Sequence, residues 1–171
     1  MITKRDLLNW LKEVDGKLGR DMIVVAVGGT AMTLLDLKES TRDVDFCVES
    51  KDVAEFKKIT QSKLFVVDIF QNGFIFALQL PENYIEKAID QVGRFTYLKL
   101  KVLGLEDIVL TKTSRLNARD IDDIKSLAKT GKINVNYLKE RFEEIVETFA
   151  GREEDFRYHF DLVLKMFFRG A

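Results

Sequence analysis

The stretch VGGTAMTLLDLKESTRDVDFCVES, residues 27–50, decides the fold because it joins two short motifs. It opens with a Gly-Gly-Thr turn after the apolar run of residues 22–27. It closes with Asp43 and Asp45, one residue apart, in an otherwise apolar segment. A short valine-rich run that stops at paired glycines is typical of a buried strand that turns into a helix. The stretch therefore predicts a strand, a tight turn, a short helix and a second strand.

Hydrophobic periodicity along the chain predicts an α/β first half and a helical second half. Strand patterns fall at residues 22–27, 43–48, 64–70, 74–80 and 98–102. Helical patterns fall at residues 3–18, 30–38, 52–60, 105–129, 134–150 and 153–168. Alternation of apolar and charged residues in the last strand predicts an edge strand. The expected fold class is α/β (α+β), a small mixed sheet flanked by helices and followed by a C-terminal helical bundle.

Length and composition limit the class of protein. A chain of 171 residues predicts one compact unit, a core over residues 1–103 with a helical region over residues 104–171 packed on it. The apolar runs are too short to cross a bilayer and the N-terminus lacks a signal peptide, so we expect a cytoplasmic protein without membrane contact. One cysteine and one histidine exclude an internal disulfide and a Cys/His zinc site. Any metal must therefore be held by carboxylates.

Charge is spread unevenly along the chain, although the net charge is only −1. Residues 94–141 carry eleven Lys and Arg against six Asp and Glu, a local balance of +5. A basic face in this region could bind a polyphosphate or an RNA backbone. A solvated helical surface explains the same excess, and composition alone leaves both interpretations open.

The two aspartates of the opening stretch are the first candidate site. Residues two apart on a strand point to the same face, so Asp43 and Asp45 present their carboxylates side by side. Adjacent like charges are costly unless a cation neutralises them, and Mg²⁺ prefers carboxylate and phosphate oxygens. The alternative is a solvent-facing strand edge that carries two unconnected aspartates.

A third acid, Asp68, is the only charge in the apolar strand predicted over residues 64–70. An ionised side chain is expensive to bury without a partner. If this strand lies beside the one that carries Asp43 and Asp45, Asp68 can join them at a metal or accept a proton from an attacking hydroxyl. The alternative is an aspartate exposed at the end of its strand.

The Gly-Gly-Thr turn predicts a phosphate-binding part of the site. A strand that ends at Gly28 and Gly29 and enters a helix at Thr30 aims free backbone N–H groups and a hydroxyl at one point, and these donors suit phosphate oxygens. Neither the P-loop pattern nor the glycine fingerprint of dinucleotide folds is present. A tight strand-to-helix turn without a ligand explains the glycines equally well.

Together these residues resemble the nucleotidyltransferase superfamily of the polymerase-beta type, in its minimal, AbiEii-like branch. The matching core motif consists of Gly28, Gly29 and Thr30, then residues 41–46 with Asp43 and Asp45, then Asp68. The helical stretch of residues 105–124 is similar to the region that follows the catalytic domain in that branch. Its matching residues are Lys112, Arg115, Arg119, Asp120 and Asp123. The resemblance covers residues 22–127 and makes residues 1–103 the catalytic core.

The basic residues of that helical stretch also support the resemblance on physical grounds. Lys112, Arg115 and Arg119 are spaced i, i+3 and i+7, so an uninterrupted helix would line them up as one positive stripe able to cover a triphosphate. Asp120 or Asp123 would fix an arginine through a bidentate pair. Charge pairs that only keep a helix soluble are the alternative.

The resemblance implies a metal-dependent transfer of a nucleoside monophosphate from a nucleoside triphosphate to a hydroxyl. Asp43, Asp45 and Asp68 would be the catalytic and metal-binding acids, with Mg²⁺ as a two-metal site and Mn²⁺ as an alternative. Phosphates would be bound by Gly28, Gly29, Thr30, Lys112, Arg115 and Arg119, and Thr41, Asp120 and Asp123 would hold these groups in place. The acceptor, an RNA or tRNA end, a protein or a small molecule, is left open.

Two further hypotheses concern partners. The chain could be a catalytically inert member of the fold that binds a nucleotide or a partner protein, or a component of a toxin–antitoxin pair. The last helix carries Phe156, Phe160, Val163 and Phe167 along one side. This stripe predicts either a core face or a surface for a homodimer or an antitoxin partner.

Overall fold

The computed structural model describes residues 1–90 and 93–170 and has the mixed α/β fold that the sequence predicts. Its strands are β1 (Ile2–Thr3), β2 (Met22–Ala26), β3 (Ser40–Thr41), β4 (Val44–Val48), β5 (Val67–Gln71), β6 (Phe74–Ile75), β7 (Leu78–Gln79), β8 (Ile89–Asp90) and β9 (Leu98–Val102). Its α-helices are α1 (Lys4–Asp15), α2 (Gly28–Leu34), α3 (Val53–Ile59), α4 (Tyr84–Lys87), α5 (Leu105–Arg115), α6 (Ala118–Lys129), α7 (Val135–Ile145) and α8 (Glu153–Phe167).

The chain divides into two units. The first comprises Met1–Asn72 and Ile85–Leu103, and the second comprises Gly73–Tyr84 and the chain from Gly104 onward. One division falls after residue 103, where the sequence analysis places its boundary, and the segment from 73 to 84 belongs with the helical part. The packing of the two parts as one compact unit stays a prediction.

A mixed sheet forms the centre of the first unit, with strand order β5-β4-β2-β9-β8. Strand β2 pairs antiparallel with β4 and parallel with β9, while β4 pairs parallel with β5. Parallel neighbours need crossover connections, and the segment that includes α3 links β4 to β5. The mixed sheet is thus as predicted, and the pairing of β4 with β5 meets the condition under which Asp68 can join Asp43 and Asp45.

The core of the first unit is built on the apolar side of β4. Phe46 is fully buried, lies 6.2 Å from the ring of Trp10 in α1, and makes an edge contact with Phe56 in α3 at 5.7 Å. Helix α1 begins with a capping box in which Thr3 and Asp6 each accept a hydrogen bond from the other's backbone N–H. Since the two helices cover the Phe46 face, Asp45 is directed to the opposite face of the strand.

The edge position predicted for β9 is wrong. Strand β8 pairs antiparallel with its second half, with Ile89 opposite Val102 and Asp90 opposite Lys101. The alternating charges are explained instead by ion pairs, because Lys101 lies 2.7 Å from Asp90 and Lys99 lies 3.7 Å from Asp21. A strand of two residues is too short to leave a periodic signal in the sequence.

The single helix predicted over residues 105–129 is also wrong, because α5 and α6 are separate helices. Leu116 adopts a left-handed conformation with φ of +47° and ends α5. Asn117 then caps α6, since its side chain accepts a hydrogen bond from the Asp120 N–H at 3.0 Å while Asp120 accepts one from the Asn117 N–H at 3.4 Å. An Asn-x-x-Asp capping box therefore restarts the helix.

The predicted strand over residues 74–80 is a hairpin of β6 and β7, with Phe76 and Ala77 at its turn. These two residues have φ of +49° and +64°, a region in which glycine and asparagine are usual. Two contacts within the second unit stabilise the turn. The guanidinium of Arg115 lies 3.8 Å from the centre of the Phe76 ring, and the Ala77 carbonyl accepts a hydrogen bond from the Ala150 N–H at 2.9 Å.

Aromatic packing between α7 and α8 forms the core of the second unit. Phe142 stacks on Phe160 at 3.9 Å and makes an edge contact with Phe156 at 5.0 Å. Phe156, Phe160 and Val163 are buried, so most of the aromatic stripe on the last helix is core. Helix α7 is shorter than predicted and continues as a 3-10 turn over Val146–Thr148.

Candidate active site

The Gly-Gly-Thr turn requires glycine at both of its first positions. Gly28 has φ of +56°, which a residue with a side chain rarely adopts. Gly29 has an ordinary backbone, but a Cβ there would lie 2.7 Å from the hydroxyl oxygen of Thr41. One glycine thus permits the sharp entry into α2, and the other allows β3 to approach that helix closely.

Threonine hydroxyls join this turn to the acidic segment. The Thr30 Oγ1 accepts a hydrogen bond from the Asp45 N–H at 2.9 Å, and it lies 3.5 Å from the Asp43 carbonyl oxygen, to which it donates. The Thr41 hydroxyl donates to the same carbonyl at 2.9 Å. A further bond, from the Val27 N–H to the Asp45 carbonyl at 3.1 Å, completes the attachment. The backbone that carries the two aspartates is therefore fixed at three points.

This attachment gives Thr30 a role that the sequence did not suggest. Its side chain is completely buried and its hydroxyl is used by the backbone of Asp43 and Asp45. Phosphate binding by Thr30 stays a prediction, and the contacts seen are those of a positioning residue. The Thr41 hydroxyl donates to the Asp43 carbonyl, and its role in the site stays a prediction.

The three acids lie on neighbouring parallel strands. Asp45 in β4 and Asp68 in β5 are register partners, so their side chains leave the sheet on the same face. Asp43 stands just before β4, and the ladder reaches this point because the Val44 N–H bonds to the Val66 carbonyl at 3.0 Å. Asp45 is only 9% exposed, whereas Asp43 and Asp68 are exposed. Asp68 is therefore exposed in its strand. The free-energy cost of burying an ionised carboxylate, which made Asp68 a candidate in the sequence, does not apply to it.

The carboxylates of Asp43, Asp45 and Asp68 are of the type that binds a hard divalent cation, but they do not provide a complete set of metal ligands. Across residues 1–90 and 93–170, no group of three or more His, Cys, Asp or Glu side chains is close enough to hold a metal ion. Mg²⁺ commonly takes one or two carboxylates from the protein and fills its other positions with water and substrate phosphates. The register pair of Asp45 and Asp68, with Asp43 nearby, matches that partial donor set.

The basic residues predicted to bind phosphates lie in the second unit and do not form one stripe. The break at Leu116 places Lys112 and Arg115 on α5 and Arg119 on α6, so the predicted continuous stripe is wrong. Lys112 is 2% exposed, and its Nζ lies 2.7 Å from Asp123 Oδ2 and 3.7 Å from Asp120 Oδ1.

Arg115 and Arg119 differ in their surroundings. Arg115 is partly exposed, lies 2.8 Å from Asp120 and stacks on the Phe76 ring. Arg119 is exposed. Asp120 pairs with Arg115 through one close contact rather than a bidentate pair, and Asp123 pairs with Lys112.

Two further charged residues with structural roles escaped the sequence analysis. Arg141 is fully buried in α7 and makes a bidentate pair with Asp107, with both N···O distances 2.8 Å, and its third nitrogen donates to the Asn83 side chain at 2.6 Å. Burial acts to lower the pKa of Arg141, but the hydrogen bonds and charge of Asp107 outweigh it and raise that pKa. A signal was present, since Arg141 interrupts the apolar face of its helix between Leu138 and Phe142.

The second missed residue is Asp15, at the end of α1. Its carboxylate accepts hydrogen bonds from the backbone N–H groups of Thr96, Tyr97 and Leu98, all at 2.8 Å, and so holds the start of β9. Burial acts to raise the pKa of Asp15, but these three hydrogen bonds outweigh it, and the pKa lies below its ordinary value. No local pattern in the sequence indicates this contact, because its partners are far away along the chain.

Comparison with known proteins identifies the class to which this fold and site belong. A family model described as a nucleotidyltransferase of unknown function, DUF6036, matches residues 5–168. The match spans nearly the whole chain, so the chain belongs to this family of nucleotidyltransferases. This confirms the superfamily inferred from the sequence, while the AbiEii-like branch receives no support from the match.

No curated protein and no solved structure matched the chain. Within the described residues, no helix has both the length and the apolar character needed to span a membrane.

Proposed function

We propose that this protein transfers a nucleoside monophosphate from a nucleoside triphosphate to a hydroxyl acceptor in a reaction that depends on Mg²⁺. The observation that carries the proposal is the register pair of Asp45 and Asp68 on parallel strands, beside a Gly-Gly-Thr turn that fixes the backbone of Asp43 and Asp45. Family membership supports the reaction class. Carboxylates directed from adjacent strands to one face offer a shared position for a cation and a phosphate.

The acids and the turn have distinct roles in this proposal. Asp43, Asp45 and Asp68 hold the cations, for which Mn²⁺ is an alternative to Mg²⁺. When bound, a pair of such ions neutralises the phosphates and stabilises the charge that develops during transfer. The backbone N–H groups of Gly28 and Gly29 face phosphate oxygens in this proposal. They are available because the N–H groups in the first turn of a helix have no carbonyl partner within it.

Asp68 also suits the role of the base. The attacking hydroxyl oxygen forms a bond to the α-phosphorus, and the bond from that phosphorus to the pyrophosphate oxygen breaks. The hydroxyl proton passes to the Asp68 carboxylate, which is exposed and can therefore be reached by an acceptor. Pyrophosphate leaves with the electron pair of the broken bond.

The roles proposed for the basic residues rest on the resemblance alone. A phosphate at Lys112 would compete with Asp123 and Asp120 for the ammonium, so the contacts favour a structural role for Lys112. Arg115 has Asp120 on one edge and Phe76 under one face, which leaves part of its guanidinium open. Arg119, which is exposed, stays a candidate for phosphate binding.

The partners proposed for this protein follow from the resemblance and from the surface of α8. Membership in the AbiEii-like branch, and with it a toxin–antitoxin pair, depends on the motif in residues 105–124. A homodimer or antitoxin surface on α8 has to use side chains outside the buried stripe, such as the exposed Tyr158 and Met166. A cytoplasmic location also stays a prediction.

Labelled nucleotides test the proposed reaction. The wild-type chain is incubated with each α-labelled nucleoside triphosphate, Mg²⁺, and total RNA or protein extract, and we expect label on a macromolecule together with released pyrophosphate. Asp45→Asn should lower the transfer rate by about 100-fold or more, because it removes a carboxylate that holds the cation at the reacting phosphate. Asp161→Asn changes an exposed carboxylate of α8 and is the matched control, with an unchanged rate.

The second candidate function is an inert member of the fold that binds a nucleotide. It predicts nucleotide binding in the presence of Mg²⁺ without transfer to any acceptor. The observation that favours it is that, among the described residues, no three His, Cys, Asp or Glu side chains group closely enough to hold a metal ion. Label transfer by the wild type at a rate that Asp45→Asn leaves unchanged would contradict both candidates.

A further inference from the structure

The N-terminal strand β1 contacts the segment that leads into the candidate acids. It pairs antiparallel with β3, with Ile2 opposite Thr41 and Thr3 opposite Ser40. These two strands form a small sheet of their own, apart from the central sheet. Ile2 is buried, with 8% of its surface exposed. Among the described residues β1 is the strand that pairs with β3, so the ladder of β3 depends on the N-terminal residues.

Strand β1 is held firmly by the helix that follows it. The Thr3 side chain accepts a hydrogen bond from the Asp6 N–H at 3.2 Å, and the Thr3 N–H donates to Asp6 Oδ2 at 3.0 Å. The next residue, Lys4, lies 2.6 Å from Asp36 in the connection between α2 and β4. This ion pair is partly exposed and contributes little by itself. The N-terminal residues therefore hold that connection mainly through the pairing of β1 with β3.

Strand β3 connects this pairing to Asp43. Thr41, the residue opposite Ile2, donates a hydrogen bond from its hydroxyl to the Asp43 carbonyl at 2.9 Å. The Thr30 hydroxyl reaches the same carbonyl only at 3.5 Å, so the contact with Thr41 is the shorter of the two. The Thr41 hydroxyl also lies where a Cβ on Gly29 would meet it, at 2.7 Å. A chain of contacts thus runs from Ile2 through Thr41 to the backbone of Asp43.

The other two acids are held in place independently of β1. Asp45 and Asp68 are register partners in the central sheet. The Asp45 N–H donates to the Thr30 hydroxyl at 2.9 Å, and the Asp45 carbonyl accepts from the Val27 N–H at 3.1 Å. Asp43, in contrast, lies in the bend between β3 and β4 and is exposed. Loss of β1 should therefore loosen Asp43 far more than Asp45 or Asp68.

We propose that β1 positions Asp43 for metal binding, with Ile2 as the residue that keeps β1 on β3. This inference rests on the proposed function, because it concerns one of its three acids. A site that takes few carboxylates from the protein depends on how firmly each of them is held. Ile2 acts through Thr41 and touches no substrate, so it is a positioning residue.

Substitution of Ile2 tests the proposal. Ile2→Ser puts a hydroxyl in a buried apolar position and should raise the Kd for the Mg²⁺ complex of the nucleoside triphosphate that the wild type binds, by about tenfold, the lower end of the effect of groups that support metal ligands. Ile2→Ala is the milder variant if urea unfolding shows that Ile2→Ser is not folded. Ile2→Val keeps the apolar side chain and should bind like wild type. Leu18→Ser removes another buried apolar side chain of the first unit and should leave the Kd unchanged.

A double-mutant cycle separates positioning of Asp43 from a general loss of stability. Because the chain of contacts ends at Asp43, Ile2→Ser should change the Kd by less than about twofold when Asp43→Asn is already present. In an Asp68→Asn background it should keep its full effect of about tenfold. Equal effects of Ile2→Ser in the two backgrounds would overturn the proposal, since Ile2 would then not act through Asp43.

Amide hydrogen exchange without any ligand keeps this test independent of the proposed function. Ile2→Ser should speed exchange in residues 38–44 and leave residues 45–48 and 67–71 like wild type. Unchanged exchange in residues 38–44 would overturn the inference, whatever the protein binds. If wild type binds the nucleotide with Mg²⁺ but the Ile2 variants leave its Kd unchanged, the positioning role fails alone. If wild type binds no nucleotide, the proposed function fails, and exchange still decides whether β1 holds the segment of Asp43.

Discussion

The exposed candidate acids of the first unit and the buried acids of the second unit differ in whether a lysine or arginine pairs with them. In the second unit Asp107, Asp120 and Asp123 are buried, and each pairs with a lysine or arginine of that unit. In the first unit Asp43 and Asp68 are exposed, and neither forms an ion pair within the part of the chain that the structure describes. Acids neutralised inside the protein stabilise the fold, whereas acids open to solvent are available to a ligand.

This comparison predicts that changes in the second unit appear mainly in stability and changes to Asp43 and Asp68 mainly in binding. The predictions below test that difference.

The largest loss of stability is expected for Asp107→Ala. This change leaves the fully buried Arg141 without its bidentate partner, which should lower the free energy of unfolding by about 3–5 kcal/mol. Urea unfolding at neutral pH measures it. The double variant Asp107→Leu/Arg141→Met is the control and should recover most of the loss, because it removes both charges. A change below about 1 kcal/mol for Asp107→Ala would contradict the assigned role.

The next largest effect is expected for Lys112→Met. Two buried carboxylates, Asp120 and Asp123, then lose a shared cation, which should cost about 3 kcal/mol of unfolding free energy. Adding Asp123→Asn should restore part of the loss. The nucleotide Kd of the folded variant should rise by less than about tenfold, a change of about 1.4 kcal/mol. Unchanged stability together with lost nucleotide binding would show instead that Lys112 is a phosphate ligand.

The carboxylate of Asp15, in the first unit, accepts three backbone hydrogen bonds, so we expect the stability of the chain to depend on pH. Its pKa in the folded chain lies below its ordinary value, so it contributes stability above the unfolded-state pKa and loses that contribution as pH falls through the folded-state pKa. Asp15→Asn should cost about 1–3 kcal/mol at neutral pH and flatten the stability profile on the acid side. Urea unfolding between neutral and acidic pH measures both, and an unchanged acid slope would count against the contact.

The smallest effect on stability is expected for Asp68→Asn and Asp43→Asn. Both acids are exposed, so each substitution should change the unfolding free energy by less than about 0.5 kcal/mol. Thermal and urea unfolding of the two variants measure this. A clear gain in stability would mean that the acids repel each other in the absence of a cation, which would strengthen the case for a metal. A large loss of stability would instead show that Asp43 and Asp68 have a structural role, like the buried acids of the second unit.

The sequence predicted the acidic face well because the pattern is local. The apolar run, the paired glycines and the Asp-x-Asp segment each have short-range signals. The pairing of the two acidic strands was only a condition in the sequence analysis, and the structure meets it with β4 beside β5 and Asp45 opposite Asp68. The function of the Thr30 hydroxyl was not predictable, because it depends on how closely α2 approaches β4.

The second unit was predicted less accurately because its deciding contacts are not local. The capping box at Asn117 was visible in the sequence, but the basic spacing across it favoured one continuous helix. The turn at Phe76 and Ala77 has no turn-forming residue, and it depends on Arg115 and Ala150 instead. Tertiary contacts of this kind override local preference and leave little trace in a single sequence.

Calorimetric titration of a nucleoside triphosphate into the protein, with and without Mg²⁺, tests the central claim most directly. The protein should bind the nucleotide only with Mg²⁺, and the double variant Asp43→Asn/Asp45→Asn should lose this binding while its urea unfolding shows that it is folded. Asp161→Asn, the exposed control, should bind like wild type. Full, metal-independent nucleotide binding by the double variant would contradict the claim that these acids form the active site.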